Sequence, residues 1–161
     1  MTDKLQIELV GAADMLSRLN TAAQLLDEPY ELMDAIGAQL EGNVNLRFDT
    51  KTDAAGNAWA PVSPNTPLIW ESIHGSPLPG TLLERTRLMR GSLAHNPSNE
   101  SVEVGFSAPY AGYHVTGTTR MPRRDPLFAT VNADLTQGTM GAGDEADVLQ
   151  VIESFLSESL G

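Results

Sequence analysis

The stretch Ser92-Leu-Ala-His-Asn-Pro-Ser-Asn-Glu-Ser-Val-Glu-Val-Gly-Phe-Ser107 decides the fold class. Val102, Val104 and Phe106 alternate with Glu103 and Gly105, the two-residue period of a strand with one buried face. Residues 92–97 read as its partner, and Pro97-Ser98-Asn99-Glu100 as the turn, because proline and small polar residues set turn backbones. The stretch is therefore a β-hairpin, and the rest of the chain has to cover its apolar face.

Upstream, Leu82, Leu83, Leu88 and Met89, with Thr81 to cap, predict a short helix that ends at Gly91 and carries Arg85, Arg87 and Arg90. Further back, Leu32, Ile36, Leu40 and Val44 recur every four residues on one helical stripe that frays near Gly42 or runs on to Phe48. Met15, Leu16, Leu19, Ala22, Ala23, Leu25 and Leu26 predict an earlier helix. Asp27 and Pro29 mark the junction between the two, so they read as an αα pair. Leu5, Ile7 and Leu9, alternating with Lys4, Gln6 and Glu8, predict a first short strand.

Downstream, Pro109 to Gly117 is a short helical or turn element, and Met121-Pro-Arg-Arg-Asp-Pro126 is held open by its prolines. Leu127 to Val131 is a strand or the start of a helix, and Gly138, Gly141 and Gly143 mark a hinge over 138–143. Val148, Leu149, Ile152, Phe155 and Leu156 give a closing amphipathic helix begun by Asp144 and Glu145, where the helix dipole favours acids. Residues 50–80 hold five of the ten prolines and read as one long irregular loop. It also holds both tryptophans, Trp59 and Trp70, so it is expected to order against a neighbour on assembly. The whole is a single α+β domain over 1–161: a small antiparallel sheet packed against an αα pair and a C-terminal helix, with a long proline-rich loop.

The chain has 161 residues, with 10 basic and 21 acidic side chains and a formal charge of −11, the wrong sign for neutralising phosphates over a broad surface. The acids dominate both ends. Between them lie Arg85, Arg87, Arg90, Arg120, Arg123 and Arg124, a distribution suited to self-association by charge complementarity. The absence of cysteine removes disulfides, thiolate metal sites and cysteine nucleophiles. No run approaches the roughly 18 to 20 apolar residues of a membrane span, and the start has acids where a signal peptide would be apolar, so synthesis and use in the cytosol, or export by a route other than the secretory one, is expected.

Catalytic patterns are missing. His74, His95 and His114 have no metal-ligand spacing, no Gly-x-Ser-x-Gly elbow occurs, and Gly138-Thr-Met-Gly141-Ala-Gly143 lacks the Lys-Ser/Thr of a phosphate loop. His114, between Tyr113 and Val115, reads as a packed histidine bonded to a backbone carbonyl. The most pointed polar cluster is Arg120, Arg123 and Arg124 around two prolines, an extended arm able to dock carboxylates or phosphates bidentately.

Four motifs in order carry a family resemblance. They are Gly56-Asn-Ala-Trp59-Ala-Pro61; Leu83, Thr86, Met89, Ser92 and Leu93, with Arg87 where a glycine would stand; Tyr110-Ala111-Gly-Tyr-His114-Val-Thr-Gly117; and Met121-Pro122-Arg-Arg124-Asp125-Pro126-Leu127-Phe128, with Asp125 inserted. With them the chain resembles, over roughly residues 25–156, the phage virion morphogenesis (tail completion) proteins of Mu-like tailed phages, of the tail-terminator kind. The resemblance implies a structural virion protein with no enzymatic activity, no cofactor and no metal. It implies a homo-oligomeric, often hexameric ring at the top of the tail. The implied partners are the tail tube protein, the head–tail connector protein, and genomic DNA passing through the bore without specific binding, with no membrane contact.

An acidic wall lets phosphates slide rather than adhere. Candidate subunit-interface residues are Trp59, Trp70, Arg85, Arg90, Tyr110, His114, Arg120, Arg123 and Arg124, with Arg123 and Arg124 expected to meet a neighbour's acids. The rivals are a head-completion or connector subunit of the same junction, a small hydrolase using His114 with a carboxylate, and a module offering residues 61–79 as a peptide ligand.

Overall fold

The computed structural model describes residues 8–9, 29–80, 82–131 and 137–160; the predicted helix over 12–26 lies outside them. The elements in chain order are β1 (Glu8–Leu9), α1 (Pro29–Thr50), α2 (Asn65–His74), α3 (Leu88–Gly91), β2 (Leu93–Pro97), β3 (Val102–Phe106), α4 (Ala111–Thr116), β4 (Thr130–Val131), β5 (Gln137–Thr139) and α5 (Ala142–Leu160). The architecture is α+β, as the patterning predicts.

α1 is the spine. It starts at Pro29, whose fixed φ suits a first helical position, and it runs unbroken through Gly42. Its N-terminal half packs Leu32 and Ile36 against Val148 and Ile152 of α5. Its C-terminal half packs Val44 and Phe48 into a second cluster with Trp59, Met89, Leu93, Ala108 and Ala111. One helix thus serves two cores, and each core brings in sequence-distant elements.

The hairpin forms as its alternation predicts, with Leu93 opposite Phe106, His95 opposite Val104 and Pro97 opposite Val102. It lies so close to α1 that a Cβ added at Gly37 would fall 2.8 Å from Val102 Cγ2 and would also strike the His95 ring. Glycine is what allows that approach. A second sheet joins β1, β5 and β4 in that order, with β1 parallel and β4 antiparallel to β5.

Two expectations change. The helix predicted over 81–91 forms only its last turn, because Leu83 and Arg87 take left-handed backbone, at φ 62° and 55°, which a right-handed helix cannot contain. The long loop contains α2: Pro67 falls in its first turn, where a missing N–H costs little, and left-handed Gly75 ends it by donating to Glu71 O. Two glycines of the segment 138–143 are closely packed. A Cβ on Gly138 would strike the Phe128 ring, and one on Gly141 would strike the Ala54 carbonyl. No helix among the described residues is long and apolar enough to cross a membrane.

Candidate functional site

The segment Arg123 to Phe128 is the centre of a buried polar knot. Asp125 is 1% exposed. Its Oδ1 accepts the backbone N–H groups of Leu127 (2.7 Å) and Phe128 (3.2 Å), and its Oδ2 pairs with Arg123 Nη2 at 2.5 Å. Burial pushes its carboxyl above the usual range, against the pull of those donors. The residue inserted into the fourth motif therefore fixes the turn through Pro126 that leads towards β4.

Arg124 is buried, at 6% exposure. Its Nε donates to Ala60 O at 2.6 Å and its Nη2 to Pro61 O at 2.8 Å, while its own N–H donates to His114 O at 2.8 Å. Arg123 Nε donates to Val115 O at 3.0 Å, and Nη2 also reaches Phe128 O. Trp59 Nε1 donates to Asp125 O at 3.4 Å, and its ring meets Phe48 edge-on at 5.7 Å. Gly117 has φ 75°, and a Cβ there would lie 2.9 Å from Arg123 N. Met89 and Leu93 share the second cluster with Trp59 and Ala111. All four quoted motifs meet at this one knot.

The knot is tied to α5. Arg47, 9% exposed on α1, donates to Pro126 O at 2.9 Å and pairs with Asp144, itself 2% exposed in the first turn of α5. Asn43 Nδ2 donates to Asp144 Oδ1 at 2.9 Å and to Asp147 Oδ2 at 2.8 Å. Asp144 is thus the receptor for a buried cation as well as a dipole acid. Sequence reasoning passed over Arg47, although it sits between Val44 and Phe48 on the apolar face of α1, which is a readable signal for a buried, paired cation.

The structure thus turns several expected interface residues inward. Arg123 and Arg124 meet carbonyls and a carboxylate of their own chain, so the expected exposed arginine arm is a brace. Trp59 is core, not a loop residue awaiting a partner. Arg90 is held by Asp49 (2.7 Å) and Glu84 (2.8 Å), which raise its pKa further, and its guanidinium lies over the Phe48 ring. Tyr110 packs on the second cluster and meets the His114 ring edge-on. Burial, with Arg124 nearby, holds His114 below its ordinary pKa. Its Nδ1 is buried without a hydrogen-bond partner among the described residues, and it is the main-chain carbonyl that accepts a bond, from Arg124 N–H.

Outside the knot, Arg85 and Arg120 are exposed, and Trp70 is half-buried between His74 (3.9 Å between ring centroids) and Arg85 (4.8 Å). Among the described residues no group of three or more His, Asp or Glu is placed to hold a metal.

The sequence model of the phage virion morphogenesis family matches residues 7–158. The chain belongs to this family. No curated protein matched the chain, and no solved structure did. In this virion morphogenesis protein, the motif residues of the knot hold backbone to backbone. Arg87 also gains an explanation: the place where a glycine would stand in the second motif has φ 55°, the region glycine enters most easily. The family's role is the building of a phage virion.

Proposed function

We propose that the protein is a tail completion subunit of the tail-terminator kind, which closes a homo-oligomeric, sixfold ring on top of the phage tail and joins it to the head. The observation that carries this, beside the family, is α2: a ten-residue helix with no buried side chain. Leu68, Ile69 and Ile73 are 65%, 57% and 68% exposed on it, whereas a helix of that length is marginal in water without a packed face. A subunit that projects such an element has its remaining contacts on other chains. In this reading the partners are further copies, the tail tube protein and the connector, and the site is the virion neck, assembled in the host cytoplasm. The net charge of −11 per copy suits a bore that DNA crosses without adhering.

The test pairs a null mutant with purified protein. Tails that are overlong or unable to join finished heads, and rings seen by negative stain on tube ends, are the expected outcome. Finished tails beside heads that leak DNA would move the protein to the head side of the joint. Persistent monomers that ignore tube ends would sink the proposal.

A further inference from the structure

We infer that α2 of one copy docks in the groove between α1 and α5 of the next, which makes the contact heterologous and able to close a ring. This rests on the proposed subunit role and names the surfaces that role would use. The groove, about 410 Å³, is mixed in lining: Ala35, Val151 and Phe155 lie among polar residues such as Gln39 and Gln150, with Asp147 and Glu158 on α5. Asp147 and Glu158 are about 16 Å apart along α5, and a ten-residue helix is about 15 Å long.

The faces match in chemistry as well as length. By helical phase, Leu68, Ile69 and Ile73 cover about 140° of α2, while Trp70, Glu71 and His74 lie on the other side. The apolar stripe is thus free to meet Ala35, Val151 and Phe155. The first turn of α2 has no acidic residue, so its dipole is uncompensated at that end. Arg85 stacks on Trp70 at 4.8 Å, and among the described residues it makes no ion pair. The α2 arm therefore presents aliphatic side chains and an uncompensated helix N-terminus, and the groove presents carboxylates beside Ala35, Val151 and Phe155. α5 carries Asp144, Glu145, Asp147, Glu153 and Glu158 and no base, and among the described residues its ion pair is the one between Asp144 and Arg47. Since arm and groove are different surfaces of one chain, each copy can give to one neighbour and receive from the other.

The absence of cysteine makes a direct test clean. The full chain carrying Ile69→Cys and Ser154→Cys together is oxidised, free and on tail tubes, and run without reductant. The expected result is an interchain ladder that stops at the ring number. Mixing the Ile69→Cys chain with the Ser154→Cys chain should give a disulfide-linked heterodimer of the two. In parallel, Leu68→Glu with Ile73→Glu should weaken self-association at least about tenfold, because two carboxylates would enter an acidic groove, and should leave the monomer folded.

A fast-migrating intrachain product would place the arm in its own groove and overturn the inference. So would symmetric dimers of the Ile69→Cys chain alone, which would mean arm against arm. Protection of the Ile69→Cys thiol from a thiol reagent only on tail tubes, with no interchain bond, would overturn it too and assign the arm to the tube protein. Rings that form normally without any of these bonds would overturn the docking and leave the subunit role standing, whereas wild-type chains that never assemble would remove both.

Discussion

Trp59 and Trp70 stand on the same proline-rich segment and meet opposite fates. Trp59 is 6% exposed, edge-on to Phe48 and bonded to Asp125 O, within a knot that also holds Arg47, Arg124 and Asp144. Trp70 sits on a helix with no buried residue, stacked against His74 and Arg85. The difference teaches that the segment is two things joined end to end. Up to Pro61 it is a core strap, held by Arg124. Beyond Pro61 it leads into α2, which leaves Leu68, Ile69 and Ile73 exposed.

The largest expected effect breaks or confirms that division directly. Trp59→Ala should cost about 4 kcal/mol by urea denaturation, the range for emptying a buried aromatic site. Trp70→Ala should cost under about 1 kcal/mol, and equal losses would erase the distinction. Next comes Arg47→Met, which strands Asp144 at 2% exposure and should cost about 3 kcal/mol. Adding Asp144→Leu should recover most of the loss, because replacing both partners leaves no buried charge. A double variant no better than the single would show that the Arg47 bond to Pro126 O carries the stability instead.

A smaller effect has the opposite sign. Arg87→Gly should stabilise the monomer by about 1 kcal/mol, since φ 55° is strained for arginine and easy for glycine. A loss in thermal denaturation would mean the Arg87 side chain has a partner.

The smallest effect is in pH. His95 Nδ1 lies 2.6 Å from Glu41 Oε2 and Nε2 lies 3.1 Å from Asp34 Oδ1, and chiefly the Glu41 bond raises its pKa above the ordinary 6.5. A raised folded pKa gives stability that is complete below 6.5 and is lost as pH rises through the folded value. The site is partly exposed, so the change should stay under about 1 kcal/mol. His114, depressed by burial, acts in the other direction by losing stability as pH falls. The difference between wild type and His95→Gln from pH 6 to pH 9, about three pH units, isolates the His95 clamp; identical curves would leave the clamp without weight.

Much of the fold was legible because its signals are local. The alternation of Val102, Val104 and Phe106, the stripe from Leu32 to Val44, the stop at Gly117 and the acids opening α5 each act within a few residues of themselves. The full helix over 81–91 fails to form because Leu83 and Arg87 take left-handed backbone that propensity disfavours. That segment is instead tied to the end of α1 by Lys51, whose Nζ donates to Leu82 O and pairs with Glu84. The candidate site was legible as motifs but not as an arrangement. Arginine beside proline looks the same whether its guanidinium faces water or the carbonyls of Ala60 and Pro61, and those carbonyls come from more than sixty residues away.

The sequence by itself determined an α+β chain, acidic at both ends, cysteine-free, with its family motifs in order. Tertiary structure alone decided which tryptophan and which arginines are internal. The physical reason is that burying a cation is favourable only where distant segments supply its acceptors, as Asp144 does for Arg47 across 97 residues. Periodicity along the chain carries no record of such a meeting.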